Sequence, residues 1–338
     1  MKETPDISLI SVVIPVYNAE RFVRQACESA LDQPEVGEVI LVEDGSPDDS
    51  LAVCKTLSGE NERVRLLWHP NGANRGAGCS RNLGIKAARY AWIAFLDADD
   101  VYLKGRFDFF NRVISEHPDA EGVCEAVGVM FENQESEKNW NRGFLDTLHQ
   151  RYSPSELFSK QAPVGNGGFC CTPGWTVKKS ALERCGMFPE HLRVHQDTAL
   201  YVKLAAKAIV YPGEIEKPVA MRRVHAQNRI SAVEISPWWQ RAKAKSLFWS
   251  DVCNWAEVNM DIASVKLLYR RFFEDIESLS FADKRVGDWV LRYSVGLRNL
   301  AFLPFVYPKV LCRLHYYRYL AKKVCECFGF VYKRLVRF

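Results

Sequence analysis

Residues 91–100, AWIAFLDADD, decide the reading of this chain: an apolar run breaks off into three carboxylates, Asp97, Asp99 and Asp100, around the small Ala98. A buried strand that delivers acids to its carboxyl end suits a hard divalent cation, because carboxylates on a short turn bind Mg2+ or Mn2+ while phosphate oxygens complete the shell. With Ala98 between them, Asp97 and Asp99 do not share one direction. One is placed for a ribose hydroxyl and the other for a metal held against a nucleotide diphosphate. Taken alone, the same residues also describe a solvated acidic turn, so the neighbouring segments carry the decision.

Upstream, residues 9–14 form an apolar run that stops at Pro15, which lacks the N–H a sheet ladder needs; Tyr17 and Asn18 follow. From 19 to 31 the apolar spacing becomes helical. The stretch EVILVEDGSPDDS repeats the pattern: a strand at 38–43, an acidic turn at Glu43 and Asp44, Gly45 for a positive φ, and a helix start at Ser46 with Pro47. Residues 63–68 read as a third strand, and the glycine-rich NGANRGAGCSRNLGIKAA leads into a helix carrying Arg81. This alternation predicts an α/β fold, a mainly parallel sheet flanked by helices, with ligands at the carboxyl ends of the strands. Tyr17, Asp44 and Asp97 all fall at such ends.

With these motifs in order, the chain resembles the family 2 glycosyltransferases of GT-A fold. The resemblance rests on Pro15-Val16-Tyr17-Asn18, Glu43-Asp44-Gly45-Ser46, Asn74-Arg75-Gly76 leading to Ser80-Arg81-Asn82, Asp97-Ala98-Asp99-Asp100, and Gln196-Asp197, and it runs from about residue 9 to 231. It implies an inverting, nucleotide-sugar-dependent enzyme. Pro15, Tyr17, Asn18, Asp44, Arg81 and Asp97 would bind the nucleotide, Tyr17 against the base, Asp44 on the imide N–H of uracil, Arg81 on base or diphosphate, and Asp97 on the ribose. Asp99 would hold Mn2+ or Mg2+. The residues alone leave plainer roles open: Tyr17 as a core cap, Asp44 as a brace of its own turn, Arg81 as a partner of a surface acid. The family commonly has Asp-Asp where this chain has Glu43-Asp44.

An acceptor hydroxyl must attack from the face opposite the departing diphosphate, which calls for a base beyond the metal turn. The resemblance places the family's Glu-Asp pair at Gln196-Asp197 and makes Asp197 the candidate base, a role worth about 10²–10⁴-fold in rate. Because Asp197 precedes an apolar-periodic run, a helix N-cap is the competing reading. His195 is the reserve candidate and a pocket residue. The glycine-rich stretch 163–177 ends in Trp175, read either as a stacking face for a sugar or as a core tryptophan. His225 matches a family histidine that approaches metal or diphosphate, and is a possible further ligand.

The chain has 338 residues, 48% hydrophobic and 25% charged, enough for one α/β domain over 1–232 and an appendage over 233–338. A net charge of +4 is too mild to argue for nucleic acid. Eleven scattered cysteines suggest neither a disulfide framework nor a paired zinc motif, and read as free thiols in a reducing cytosol. The N-terminus lacks the apolar core of a signal peptide, and no run is long and apolar enough to span a membrane. From about 236 the composition turns helical, with further helices expected at 262–278 and 282–302. After Pro308, eight basic residues face only Glu326, and apolar residues from Leu311 to Leu335 recur at helical steps. Such a basic amphipathic helix predicts peripheral contact with an anionic membrane at its cytoplasmic face, where a glycan or lipid-linked saccharide would be the acceptor. Packing on protein is the alternative.

Two other enzyme classes fit less well. A sugar nucleotidyltransferase would carry a basic glycine-rich loop after the first strand, and a dehydrogenase would complete the dinucleotide fingerprint that residues 76–81 lack. A nucleotide-sugar-binding protein without turnover is the non-enzyme alternative.

Overall fold

The computed structural model describes residues 9–138, 140, 143–225 and 238–281. In chain order the elements are β1 (Ile10–Val16), α1 (Val23–Leu31), β2 (Val36–Glu43), α2 (Ser50–Glu60), β3 (Val64–Trp68), α3 (Ala77–Ala87), β4 (Trp92–Phe95) and β5 (Val101–Tyr102). There follow α4 (Asp108–Glu116), β6 (Gly122–Cys124), β7 (Val127–Phe131), α5 (Gln134–Lys138), β8 (Leu145–Asp146), α6 (Pro154–Lys160), β9 (Trp175–Lys178) and α7 (Lys179–Arg184). Last come α8 (Gln196–Lys207), β10 (Val210–Pro212), β11 (Ala220–Val224), α9 (Trp238–Asn259) and α10 (Ile262–Phe281).

Seven strands form the main sheet in the order β10-β6-β9-β4-β1-β2-β3. All pairings are parallel except those of β9, which runs antiparallel to both β4 and β6. The expected mixed α/β architecture is therefore present. Strands β1 and β2 are buried on both faces, which is why their sequences are continuous aliphatic runs rather than alternating ones. Val12, Ile14, Val39 and Leu41 meet Val23, Cys27 and Leu57 of α1 and α2 in one cluster. Each such buried aliphatic side chain contributes about 1.5–3 kcal/mol. On the other face, Gly84 lets α3 press onto β1: a Cβ there would stand 2.4 Å from Val13 Cγ1.

Strand β1 continues through Pro15 to Val16, two residues past the expected stop. The Val13 carbonyl faces β4, so Pro15 also faces that side, where β4 has already ended and no N–H is needed. Helix α2 begins at Ser50 rather than Ser46, because the Ser46 N–H is taken by the Glu43 carboxylate at 2.5 Å while Asp48 accepts from the Ser50 N–H at 3.2 Å.

A smaller sheet, β5-β11-β7-β8, stands at the carboxyl ends of the main strands. It carries β11 beside the Asp97–Asp100 turn. Among the described residues the cysteines are unbridged, and no helix is long and apolar enough to cross a membrane. The described C-terminal helix α9 packs on α8, Asp251 accepting from Lys203 Nζ at 2.6 Å, and the compact unit extends to Ile276. The helix expected at 282–302 and the basic tail after Pro308 lie outside the described residues.

Candidate active site

The loops after β1, β2 and β3 are tied together at the strand ends. Tyr17 follows β1 and is 44% exposed, its ring open to a partner. Asn18 takes a positive φ of 53°, and its N–H donates to Ser46 Oγ at 3.2 Å, tying the β1 loop to the β2 loop. Gly45 has φ 71°, as its sequence context predicts, and a Cβ there would meet the Gly72 carbonyl at 2.5 Å. Asp44 is 2% exposed, and both its oxygens accept backbone N–H groups, from Arg75 at 2.7 Å and Gly76 at 2.9 Å. Its carboxylate braces the loop that opens α3, whereas Glu43 holds Gly45 and Ser46.

The acidic turn after β4 is clamped from the smaller sheet. The Arg223 N–H donates to Asp100 Oδ1 at 2.9 Å, and Arg223 Nε donates to the Asp99 carbonyl at 3.0 Å. Burial, with Asp99 and Asp97 adding to it, holds the Asp100 carboxyl well above the usual carboxylate range, against the opposing Arg223 N–H and Arg222. His225, just past β11, places Nε2 3.0 Å from Asp99 Oδ2. The two residues expected to hold a metal are therefore adjacent. Among the described residues no three His, Cys, Asp or Glu side chains converge as a cage. Two protein donors completed by phosphate oxygens and water suit Mg2+ or Mn2+, and the crowding of carboxylates around Asp99 fits a cation there.

Arg81 links this end to the candidate base. It projects from α3, lies 5.2 Å over the Phe188 ring, and donates from Nη2 to Asp97 Oδ1 at 2.5 Å. Asn82 fixes Phe188 by exchanging hydrogen bonds with its backbone N–H and carbonyl, at 3.0 and 2.9 Å. Burial acts to lower the Arg81 pKa, but Asp97, Tyr201 and Asp197 around it outweigh this and raise it. Its Nε and Nη1 are buried without a partner among the described residues. Two such donor nitrogens are costly until an oxygen meets them.

Asp197 lies in the first turn of α8, whose N-cap is His195, so the capping role does not fall to Asp197. Its Oδ1 accepts the Thr198 N–H at 2.7 Å, and Oδ2 accepts from the Thr172 hydroxyl at 3.5 Å. Gln196 packs on α3 at Gly78 and brings no second carboxylate. His195 takes φ 61°, and its ring centroid is 5.8 Å from that of Phe248 on α9. Burial pushes its pKa below 6.5; Lys245 adds to this, while Asp197 and Asp275 oppose it.

Trp175 corrects an expectation. It is 1% exposed, donates from Nε1 to the Cys170 carbonyl at 2.8 Å, and stacks on Tyr201 at 4.4 Å between centroids. Its ring has no open face for a sugar, and the core reading is the observed one. Sequence reasoning passed over Tyr201, Thr172 and Arg223. Tyr201 follows Asp197 by four residues on a helix and so shares its face, a signal available from spacing. Thr172 and Arg223 reach the site only through tertiary folding.

Residues 11–186, just over half of the chain, match the sequence profile of Glycosyl transferase family 2. An uncharacterized glycosyltransferase of Bacillus subtilis (strain 168), EpsJ, is 35% identical over 133 residues, which cover 39% of this chain and 36% of EpsJ. The minor teichoic acid biosynthesis protein GgaB of the same organism is 30% identical over 196 residues, covering 56% of this chain and 20% of GgaB. An uncharacterized glycosyltransferase of Rickettsia felis is 27% identical over 218 residues, 64% of this chain and 33% of its own. The chain spans between a fifth and just over a third of the length of these relatives. Among solved structures, S. aureus TarS 1–349 in complex with UDP-GlcNAc superposes with a TM-score of 0.59 at 17% identity, over 83% of this chain and 77% of that one, a likeness of fold. Four of the five motifs read from the sequence fall within this match, Gln196-Asp197 lying ten residues beyond it, and the chain belongs to glycosyl transferase family 2.

Proposed function

We propose that this chain is an inverting, metal-dependent glycosyltransferase that moves a sugar from a UDP-linked donor to a hydroxyl of a glycan or lipid-linked saccharide, in cell-surface polysaccharide synthesis. The observation that carries the reading is Arg81, which joins Asp97 at 2.5 Å, lies within electrostatic reach of Asp197, and keeps two buried nitrogens without a partner among the described residues. Support for a uridine donor comes from TarS, a protein of the same fold solved with UDP-GlcNAc, and support for a cell-surface acceptor from GgaB, named for teichoic acid biosynthesis.

In this reading Tyr17 lies against the base and Asp97 meets the ribose, while Arg81 donates from Nε and Nη1 to donor oxygens. A divalent cation at Asp99 and His225 supplies, when bound, Lewis-acid neutralisation of the departing diphosphate. Asp197 accepts the acceptor hydroxyl's proton on Oδ2 as the new bond forms. A single displacement with no enzyme nucleophile inverts the anomeric centre. His195 borders the acceptor side. Peripheral placement on an anionic membrane rests on residues 308–338 alone.

The test is release of UDP from a panel of UDP-sugars with Mn2+, with and without saccharide acceptors. Metal-dependent release that is lost in Asp99→Ala and in Asp197→Ala supports the enzyme. Tight UDP-sugar binding with no turnover by the wild-type chain would reduce it to a binding protein, and failure of every uridine donor would overturn the donor assignment.

A further inference from the structure

Two different elements hold the Asp197 carboxylate. Within α8, the Thr198 N–H and hydroxyl both donate to Oδ1, at 2.7 and 3.3 Å. Oδ2, the oxygen turned away from the helix, accepts from Thr172, which stands on a turn 25 residues upstream. Bonds to Oδ1 alone leave the carboxylate plane able to swing about its last torsion. A donor from a separate element, as it closes on Oδ2, restrains that plane.

The turn that presents Thr172 is itself anchored. The carbonyl of Pro173 accepts from Arg106 Nε at 3.1 Å and from Nη2 at 2.9 Å, and Nη2 also reaches the Thr176 hydroxyl at 3.3 Å. Arg106 is ion-paired with Glu125, and both side chains are 0% exposed. The Arg106 guanidinium lies over the rings of Phe107 and Tyr102, at 4.8 and 5.2 Å from their centroids, and its backbone N–H donates to Gln33. Burying both charges carries a desolvation penalty, so hydrophobic replacements would serve stability alone equally well. What the pair adds is a rigid seat for residues 172–174 beside the candidate base.

We infer that Thr172 is a positioning residue for transfer: its hydroxyl aims Oδ2 of Asp197 at the incoming acceptor, from a turn that Arg106 and Glu125 hold in place. The inference rests on the reading of Asp197 as the base. The Thr172–Asp197 separation of 3.5 Å is long, as catalytic hydrogen bonds often are before substrates close the site. Loss of this aim acts on turnover rather than on donor binding, since misplacing a reacting group by about 1 Å costs up to about 10²-fold.

The experiment compares steady-state transfer by wild type, Thr172→Val, Thr172→Ser and Asp197→Asn. Valine keeps the volume without the hydroxyl, and serine restores the hydroxyl. Thr172→Val is expected to lower kcat about tenfold or more with the donor KM within about twofold, and Thr172→Ser to recover most of kcat. Equal thermal stabilisation of wild type and Thr172→Val by UDP checks the fold. Should valine unfold the turn, Thr172→Ala must show the same split between kcat and KM. Wild-type kcat in Thr172→Val, or equal impairment of the valine and serine variants, overturns the inference. If Asp197→Asn is inactive while Thr172→Val is unaffected, the base reading stands and only this inference falls. If Asp197→Asn keeps transfer, the base reading falls and takes the inference with it.

Discussion

His225 Nε2 and Asp99 Oδ2 lie 3.0 Å apart although 126 positions separate them in the chain. The contact exists because β11 runs beside β5 and β7 and ends over the turn that follows β4, with Arg223 clamping that turn from the same strand. The pair brings one oxygen and one nitrogen donor together beside the turn whose Asp97 is joined to Arg81.

If His225 shares the cation with Asp99, His225→Ala raises the Mn2+ concentration for half-maximal UDP release by about tenfold or more, since loss of even a supporting partner weakens metal sites by about 10–100-fold. Saturating Mn2+ should recover much of the rate. In Asp99→Ala no Mn2+ concentration should. A half-saturation point unmoved in His225→Ala would remove the histidine from the metal.

Asp44 separates two readings of one carboxylate. As the brace of the Arg75–Gly76 loop, it should destabilise the fold when replaced: Asp44→Ala leaves buried N–H groups unpaired at about 1–3 kcal/mol. Thermal denaturation should show a lowered midpoint together with a raised donor KM. An unchanged midpoint with lost preference for uridine over guanosine donors would favour direct base reading.

His195 makes stability depend on pH in a stated direction. Its folded pKa lies below the ordinary 6.5, so between the two values the unfolded chain binds the proton and the folded chain does not. The histidine's contribution is complete above pH 6.5 and is lost as pH falls through that value toward the folded pKa. His195→Asn removes the titration and suits the φ of 61°, because Asn is enriched in the left-handed region. Melting temperatures between pH 7.5 and 5.5 should fall less for the variant than for wild type. Parallel curves would contradict the burial argument.

Trp175 belongs to the core, so Trp175→Ala should lower unfolding stability by about 3–5 kcal/mol, measured from denaturant midpoints. Loss of its stack on Tyr201 would loosen α8, and kcat should fall with stability. A variant of normal stability whose acceptor KM alone rises would return Trp175 to a sugar-stacking role.

Much of this molecule was readable one segment at a time. The runs at 10–16, 36–43 and 92–95 are apolar because those strands are covered on both faces, and that local cause announces a parallel sheet before any contact is known. Gly45 signalled its turn by itself, because a positive φ is a property of one residue. Strand ends and helix starts were shifted by hydrogen bonds from elsewhere: β1 runs past Pro15 because its neighbour stops short, and α2 starts late because Glu43 takes the Ser46 N–H.

By itself, then, the sequence determined the alternation of strands and helices, the family, and which acids stand at the strand ends, since periodicity and turn chemistry are written in neighbouring residues. Only the tertiary structure decided what each of those side chains faces. It turned Asp44 inward to its loop, buried Trp175 against Tyr201, set His225 on Asp99, and drew Thr172 to Asp197 over 25 residues. Those outcomes depend on how separate elements pack, and burial and partnership arise between segments that no local pattern relates.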